Sequence, residues 1–370
     1  MRTGFVVVIG FAALGAAPVR AQDTQVRVSG RVQVQYNTTS VGEAEVGDPA
    51  TLSIAATTFE TRRVRLGVRL TIDEWITGML EPEYALGSLS LRQVWMNLGI
   101  DPAFGLRIGQ FKKPFSLIQL TSSLETSAIE RGLRIREIGD AWAAADNAAT
   151  GSVLTGLNDD VILGEEQYLL DVFGYMGYEL GAAAHGELGR FSYEVGIFNG
   201  TGADARDRND EKSYAGRLQW QASTELPIAI GAGVSYHDIA TPVAGASADG
   251  TALEVDVEVG GFRRAGLHVI AEATAGDNIP VEESFAAAQA MLSWFRPTRG
   301  RVEGIEPLFR VSWGDPNREV EEDAAILFTP GVNLYFAGRN RLQLNWDFFV
   351  PQGDRFETHH ALRAQAQMAF

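Results

Sequence analysis

The 370-residue sequence contains no cysteine. That excludes a disulfide framework and any thiolate metal site, so no covalent or zinc staple holds the fold. Lysine is nearly missing: three of the 31 basic residues, and two of those three are adjacent, Lys112 and Lys113. Long apolar runs are confined to the start, and no later stretch offers the ~20 apolar residues of a helical membrane span. Histidine occurs five times, at His185, His237, His268, His359 and His360, in no Ser/His/acid arrangement. With no metal-ligand spacing, phosphate-cradling glycine loop or nucleic-acid motif either, the sequence points away from an enzyme, a cofactor and a nucleic-acid partner.

What the sequence does contain begins with Arg2, an apolar run from Phe5 to Ala17, and Val19-Arg20-Ala21. A charged start, a short apolar core and small residues before the cleavage point are what a secretory signal peptide needs, so residues 1–21 are expected to be one and 22–370 the mature chain. The whole chain carries a formal charge of −16. The distribution is uneven: residues 22–136 hold 13 basic and 12 acidic side chains, and 137–370 hold 16 and 35.

From Gln25 the chain alternates. Gln25, Arg27, Ser29, Arg31, Gln33 and Gln35 share one parity, and Val26, Val28, Val32 and Val34 take the other. Such alternation marks a strand with one polar and one apolar face. The same pattern returns at 341–348 and closes the chain at 362–370. Segments of this kind lie at 24–37, 58–72, 75–86, 88–100, 104–111, 176–187, 191–199, 212–222, 227–237, 250–260, 264–274, 282–294, 302–313, 324–336, 339–350 and 358–370. Tight links such as Asp73-Glu74 and Asp101-Pro102-Ala103 follow every second segment, and longer polar links fill most other places. An even count of about sixteen strands, with short turns at one end and longer loops at the other, predicts an all-β, antiparallel transmembrane barrel of the outer-membrane type. Lipid offers no hydrogen bonds, so a sheet within it must close on itself. Trp95, Trp220, Trp294, Trp313 and Trp346, with Tyr36 and Tyr335, fall near strand ends and are expected to include the aromatic girdles.

Residues 113–175 form the longest link, the third on the loop side, and open with the lysine pair and Pro114. A Ser-x-x-Glu box at Ser122 and Glu125 predicts a short helix over 123–132. An insertion of this length in a compact fold is functional. We expect it to fold into the lumen, with the lysines at a constriction. By parity Arg63, Arg65 and Arg69 face the lumen, as do Arg27, Arg31, Arg107, Arg217, Arg310, Arg341 and Arg363. Arg62 has the wrong parity and needs a strand end or a bulge to join them. An arginine on the lipid face costs roughly 2–4 kcal/mol at mid-depth, so a polar interior suits them all.

Phe59-Glu60-Thr61-Arg62-Arg63-Val64-Arg65-Leu66-Gly67, Gly105 through Ser116, Leu120-Thr121-Ser122-Ser123 and Ile129-Glu130-Arg131 resemble the conserved blocks of the phosphate-selective porin O and P family. The resemblance covers about residues 24–136 and implies a sixteen-stranded, usually trimeric channel in the outer membrane of a Gram-negative bacterium, among lipid and lipopolysaccharide. It implies passive diffusion of small anions, phosphate or related oxyanions among them. Arg31, Arg62, Arg63, Arg65, Arg69 and Arg107 would belong to the lumen ladder, Lys112 or Lys113 would be the binding lysine, and Ser116 a hydroxyl contact. Against that stand Glu254, Asp256 and Glu258, which share lumen parity on one strand, with Glu194, Glu272 and Asp347. Arginines facing acids give a transverse field, so the alternative is a general, weakly selective diffusion porin.

Overall fold

A strand with one apolar and one polar face satisfies both only with lipid outside and water inside, which requires a closed sheet. The computed structural model has that form. It describes residues 24–40, 57–85, 87–132, 170, 173–203, 211–223, 225–240, 247–279, 283–321, 324–352 and 358–370, so the expected signal peptide and residues 133–169 of the long loop lie outside the described part. Sixteen strands follow one another: β1 (Thr24–Ser40), β2 (Thr57–Ile72), β3 (Ile76–Ala85), β4 (Ser88–Asp101), β5 (Phe104–Lys112), β6 (Tyr178–Leu188), β7 (Phe191–Phe198) and β8 (Ser213–Ser223). The second half contains β9 (Ile228–Ala240), β10 (Ser247–Val259), β11 (Gly266–Asn278), β12 (Glu283–Pro297), β13 (Gly304–Asp315), β14 (Ala325–Tyr335), β15 (Arg341–Pro351) and β16 (His359–Ala369). Each expected segment is a strand, its ends shifted by a few residues. Every strand pairs antiparallel with the next, and β16 returns to β1 with Arg31 opposite Ala369 and Ser40 opposite His360. Gly30 and Phe370 seal the seam by exchanging main-chain hydrogen bonds of 2.9 and 3.1 Å. Among the described residues no helix is long and apolar enough to cross a membrane, and the barrel crosses with strands.

Side-chain direction follows the alternation. Val26, Val28, Leu66, Leu70, Val255 and Leu344 are exposed on the outer face, while Gln33, Gln35, Asn345 and Gln365 are buried on the inner one. Two irregularities redirect arginines. Gln33 pairs with Arg63 and Val34 with Thr61, so Arg62 is the extra residue of a β-bulge and turns inward beside Arg63. On β4 the register slips where Glu81 pairs with Gln93 and Pro82 with Leu91, which leaves Arg92 as the extra residue.

The aromatics named above divide between the two faces. Trp220, Trp294 and Trp346 are exposed on the outer face, and Tyr36 packs on Phe59 at 4.8 Å. Trp95 and Tyr335, by contrast, belong to the interior. Trp95 shares the parity of Gln93, to whose Oε1 its Nε1 donates at 3.0 Å, and the Tyr335 hydroxyl donates to Glu306 at 2.6 Å. Each aromatic has a polar handle whose partner lies inside.

The start of the long loop enters the lumen. Phe115, Phe173, Tyr175 and Met176 pack on Ala252, Phe285, Leu327 and Phe349 of the wall, and Leu117 and Ala128 pack on Ile270, Met291 and Leu308. Burying one such large apolar side chain is worth roughly 1.5–3 kcal/mol, which anchors the insertion. The helix expected at 123–132 is absent; a single turn, α1 (Leu117–Leu120), precedes it, and Ser116 caps that turn by accepting from the Gln119 amide. Glu125 and Thr126 amides both donate to the Ser122 carbonyl, so a turn starts at the predicted box. It does not propagate because the wall takes the next carbonyls. Asn333 and Gln343 donate to Ser127 O at 2.9 and 3.1 Å, Gln33 and Arg341 to Ser123 O at 3.2 Å each, and Gln367 to Leu124 O at 3.4 Å.

Candidate functional site

The start of the loop meets the inner face of β1 to β7 in a cluster of ion pairs. Neighbouring strands place Arg31 opposite Arg65, and β3 places Glu83 opposite Arg65. Arg31 therefore donates to Ser123 Oγ at 2.8 Å and to Glu81 at 3.4 Å, while Arg65 pairs with Glu83 and with Glu81, the latter at 3.4 Å. Arg92, delivered by its bulge, donates to the other oxygen of Glu83 at 2.6 Å. Tyr178 is the hub of this cluster. Its ring centroid is 5.9 Å from the Arg65 guanidinium, 5.7 Å from Arg92 and 5.7 Å from the Lys112 ammonium, and its hydroxyl accepts from Arg65 at 3.2 Å.

The two lysines diverge. Lys112 donates to the Gln119 carbonyl under the loop and lies in the field of Arg131, Arg65, Arg31 and Arg63. Lys113 is buried, 3.0 Å from Glu179, and donates to the Gly174 carbonyl. Arg62 and Arg63 meet Glu130 of the loop, Arg62 through both of its donor positions at 3.0 and 3.2 Å. Ser116 is not a free hydroxyl: it donates to Glu272 at 2.8 Å, and its amide donates to Glu254 at 3.0 Å. Its φ of 67° is one an L-residue adopts only under local constraint, and two wall carboxylates with an amide from Ile118 supply it.

Lower in the lumen a stacked row replaces the ion-pair cluster. The Arg69 and Arg107 guanidinium groups lie 5.5 and 5.2 Å from the Trp95 ring, and Arg107 is also 5.2 Å from Phe111. Arg107 reaches Glu194 at 2.9 Å. Arg69 stands directly opposite Arg27, and among the described residues neither meets a carboxylate.

Other arginines of the wall share carboxylates. Arg217 pairs with both Glu254 and Asp256, and Asp347 serves both Arg310 and Arg363, the latter at 2.7 Å. Exposure shows where water reaches. The Arg92, Arg107 and Glu194 side chains are 26, 25 and 23% exposed, whereas Arg310 under the loop is 1% exposed. A cavity of about 530 Å³ lies on that same side, lined by Pro114, Leu120, His185, Tyr193, Glu194 and Arg217. Among the described residues no group of His, Asp and Glu side chains could hold a metal ion.

Parity reasoning thus places the named arginines other than Arg62 on the inner face and a bulge adds Arg62, but their partners Glu81, Glu83, Glu130 and Glu179, and the hub Tyr178, escaped it. Glu81 and Glu83 share inner parity with Met79, a legible signal that the Pro82 irregularity obscures.

A family model described as phosphate-selective porin O and P matches residues 26–267. No curated protein matches the sequence. Among solved structures the fold is similar to an anion-selective porin from Comamonas acidovorans, with a TM-score of 0.61 and 14% identity over 94% of this chain and 100% of that one. OprB of Pseudomonas putida gives 0.59 and 11% over 94% of each chain, and OmpT of Vibrio cholerae in its trimer form gives 0.55 and 12% over 94 and 99%. At these identities the likeness is one of fold.

Proposed function

Because the chain belongs to the phosphate-selective porin O and P family, barrels of the Gram-negative outer membrane, we propose that it is a general, weakly selective diffusion porin for small polar solutes. The observation that carries this reading is neutralisation from within: Glu81, Glu83, Glu130, Glu179 and Glu194 each stand against an arginine or lysine of the inner wall or loop. Retention of an oxyanion needs donors with spare capacity, and conduction needs binding weak enough to release. A ladder whose rungs already carry carboxylates favours the second. The acids of β10 and β11 facing the arginines of β1 and β2 add a transverse field, which orients water and polar solutes without choosing a sign.

A second reading, passage selective for small anions such as phosphate, is favoured by one observation. Arg27 and Arg69 oppose each other on the lumen face without a carboxylate between them, and like charges so placed repel unless an anion bridges them. In this reading Arg31, Arg62, Arg63, Arg65, Arg69, Arg107, Lys112, Lys113 and Ser116 serve a relay of anion sites. Homotrimeric assembly, with lipid and lipopolysaccharide around the outer face, belongs to both readings and is supported by the family and by the trimer form of the Vibrio barrel.

The deciding experiment is the reversal potential of the reconstituted channel across a KCl gradient, repeated while inorganic phosphate is titrated in. A potential near zero with chloride current unaffected by low phosphate is the expected result. Strong anion selectivity with block by low phosphate would replace the first reading with the second.

A further inference from the structure

The tight turns that close the barrel at its periplasmic end divide by charge. Those from β2 to β9, with the strand ends beside them, carry Asp73, Glu74, Asp101, Glu187 and Glu225 against Arg190. The three from β10 to β15, residues 260–265, 296–303 and 336–340, carry Arg263, Arg264, Arg296, Arg299, Arg301 and Arg339 against Glu303. Six of the 16 basic residues of the acidic stretch 137–370 thus gather on one side of the rim, which composition alone does not produce. Arg263 fastens the three turns to one another: it donates to Glu303 at 2.9 Å and to the Phe336 carbonyl at 3.3 Å, and lies 5.4 Å from the Tyr335 ring. Arg339 reaches Glu125 of the long loop at 2.7 Å. The other four are exposed, and among the described residues none of them meets a carboxylate. Arg264 donates to the Glu225 carbonyl at 2.7 Å, which leaves its remaining donors open.

Parity sets their direction. On β12 Leu292 and Trp294 are exposed on the outer face while Phe295 is buried inside, and Arg296 continues the parity of Trp294, two residues and roughly 7 Å further along the strand. Leu267 opposite Trp294 and Ile305 opposite Arg296 complete an exposed apolar border. Tryptophan on the lipid face marks the boundary between hydrocarbon and headgroups. An arginine just beyond it stands at phosphate height, where the cost of facing lipid has almost vanished. Thr298 closes the hairpin by donating to the Val302 and Glu303 carbonyls at 2.5 and 3.0 Å, so that Arg299 and Arg301 flank Gly300, whose φ is 100°. We propose that Arg264, Arg296, Arg299 and Arg301 form a binding patch for the phosphate headgroups of anionic phospholipids in the periplasmic leaflet. Guanidinium forks match phosphate oxygens two at a time, and a headgroup without a compensating amine suits four positive charges with no acid among them. The acidic turns across the rim repel the same headgroups, so the bound lipid is confined to the β10 to β15 side.

The test gives the full-length channel in detergent an equimolar mixture of dioleoylphosphatidylglycerol and dioleoylphosphatidylcholine and counts the retained lipids by native mass spectrometry. The unmodified channel is expected to prefer phosphatidylglycerol by about fivefold or more, the factor a single arginine contributes beside a charged leaflet. The combined variant Arg264→Gln, Arg296→Gln, Arg299→Gln and Arg301→Gln should fall to parity, while Arg190→Gln, on the acidic side of the rim, should keep the preference. No preference in the unmodified channel, or one that survives in the combined variant, would overturn the assignment. Inorganic phosphate should displace no more lipid than chloride does at the same ionic strength; greater displacement would make this a site for free phosphate and sink the lipid reading. If the combined variant does not form a barrel, Arg296→Gln alone should lower the preference, and an unchanged ratio would count equally against the proposal.

Discussion

The Lys113 ammonium lies 3.0 Å from the Glu179 carboxylate, with both side chains only 2% exposed, while its sequence neighbour Lys112 turns to the loop carbonyl of Gln119. The pair is one structural lysine and one lumen lysine. Lys113→Ala strands a buried carboxylate and should lower stability by about 3–5 kcal/mol. Lys112→Ala loses a hydrogen bond worth about 1 kcal/mol. Urea midpoints of the barrel in detergent measure both, and equal shifts would contradict the division.

Arg107 and Glu194 form an ion pair that remains about a quarter exposed to lumen water. Charge in contact with the permeating solution sets selectivity, so Arg107→Gln should move the KCl reversal potential toward cations and Glu194→Gln toward anions. Arg310→Gln, hidden beneath the loop, should leave the potential unchanged and lower the unfolding midpoint instead. A selectivity change in Arg310→Gln as large as that in Arg107→Gln would refute this water path.

The opposed Arg27 and Arg69 repel across two strands. Arg69→Gln should stabilise the barrel at low ionic strength by about 0.2–1 kcal/mol. The gain should vanish near 1 M salt, where the Debye length is about 3 Å. Parallel unfolding curves in the two salts provide the comparison; a gain independent of salt would mean that charge repulsion is not its source, and no gain at either salt that the repulsion is already neutralised.

Ser116 combines a φ of 67° with a helix cap and a hydrogen bond to Glu272. Ser116→Ala retains the strain and loses the hydroxyl, at a cost of about 1–2 kcal/mol. Ser116→Gly also loses the hydroxyl but accepts the dihedral, recovering about 1 kcal/mol of that. Open-channel noise should follow the same order, largest for alanine.

The barrel was legible because a period of two persists through every strand and tolerates local errors, such as the proline within β3. The need for a bulge at Arg62 could also be read, since a run of inner arginines with one of the wrong parity has few other solutions. Pairing could not. Whether Glu81 meets Arg31 or Arg92 depends on stagger between strands, and that Glu130 reaches Arg62 depends on the path of a loop across the lumen. The Ser122 box misled for a related reason: local capping competes with Asn, Gln and Arg side chains from β1 and β13 to β16, which are invisible in a ten-residue window. Trp95 and Tyr335 face inward, which parity rather than aromatic character decides.

The clamps on the loop have a consequence for how such a pore can change. Gln33, Asn333, Gln343 and Gln367 grip main-chain oxygens of Ser123, Leu124 and Ser127. Every residue type offers that same oxygen, so the wall dictates the course of the segment while remaining blind to what the segment displays. Substitutions along its free edge can then redraw the permeability of the channel without renegotiating its architecture.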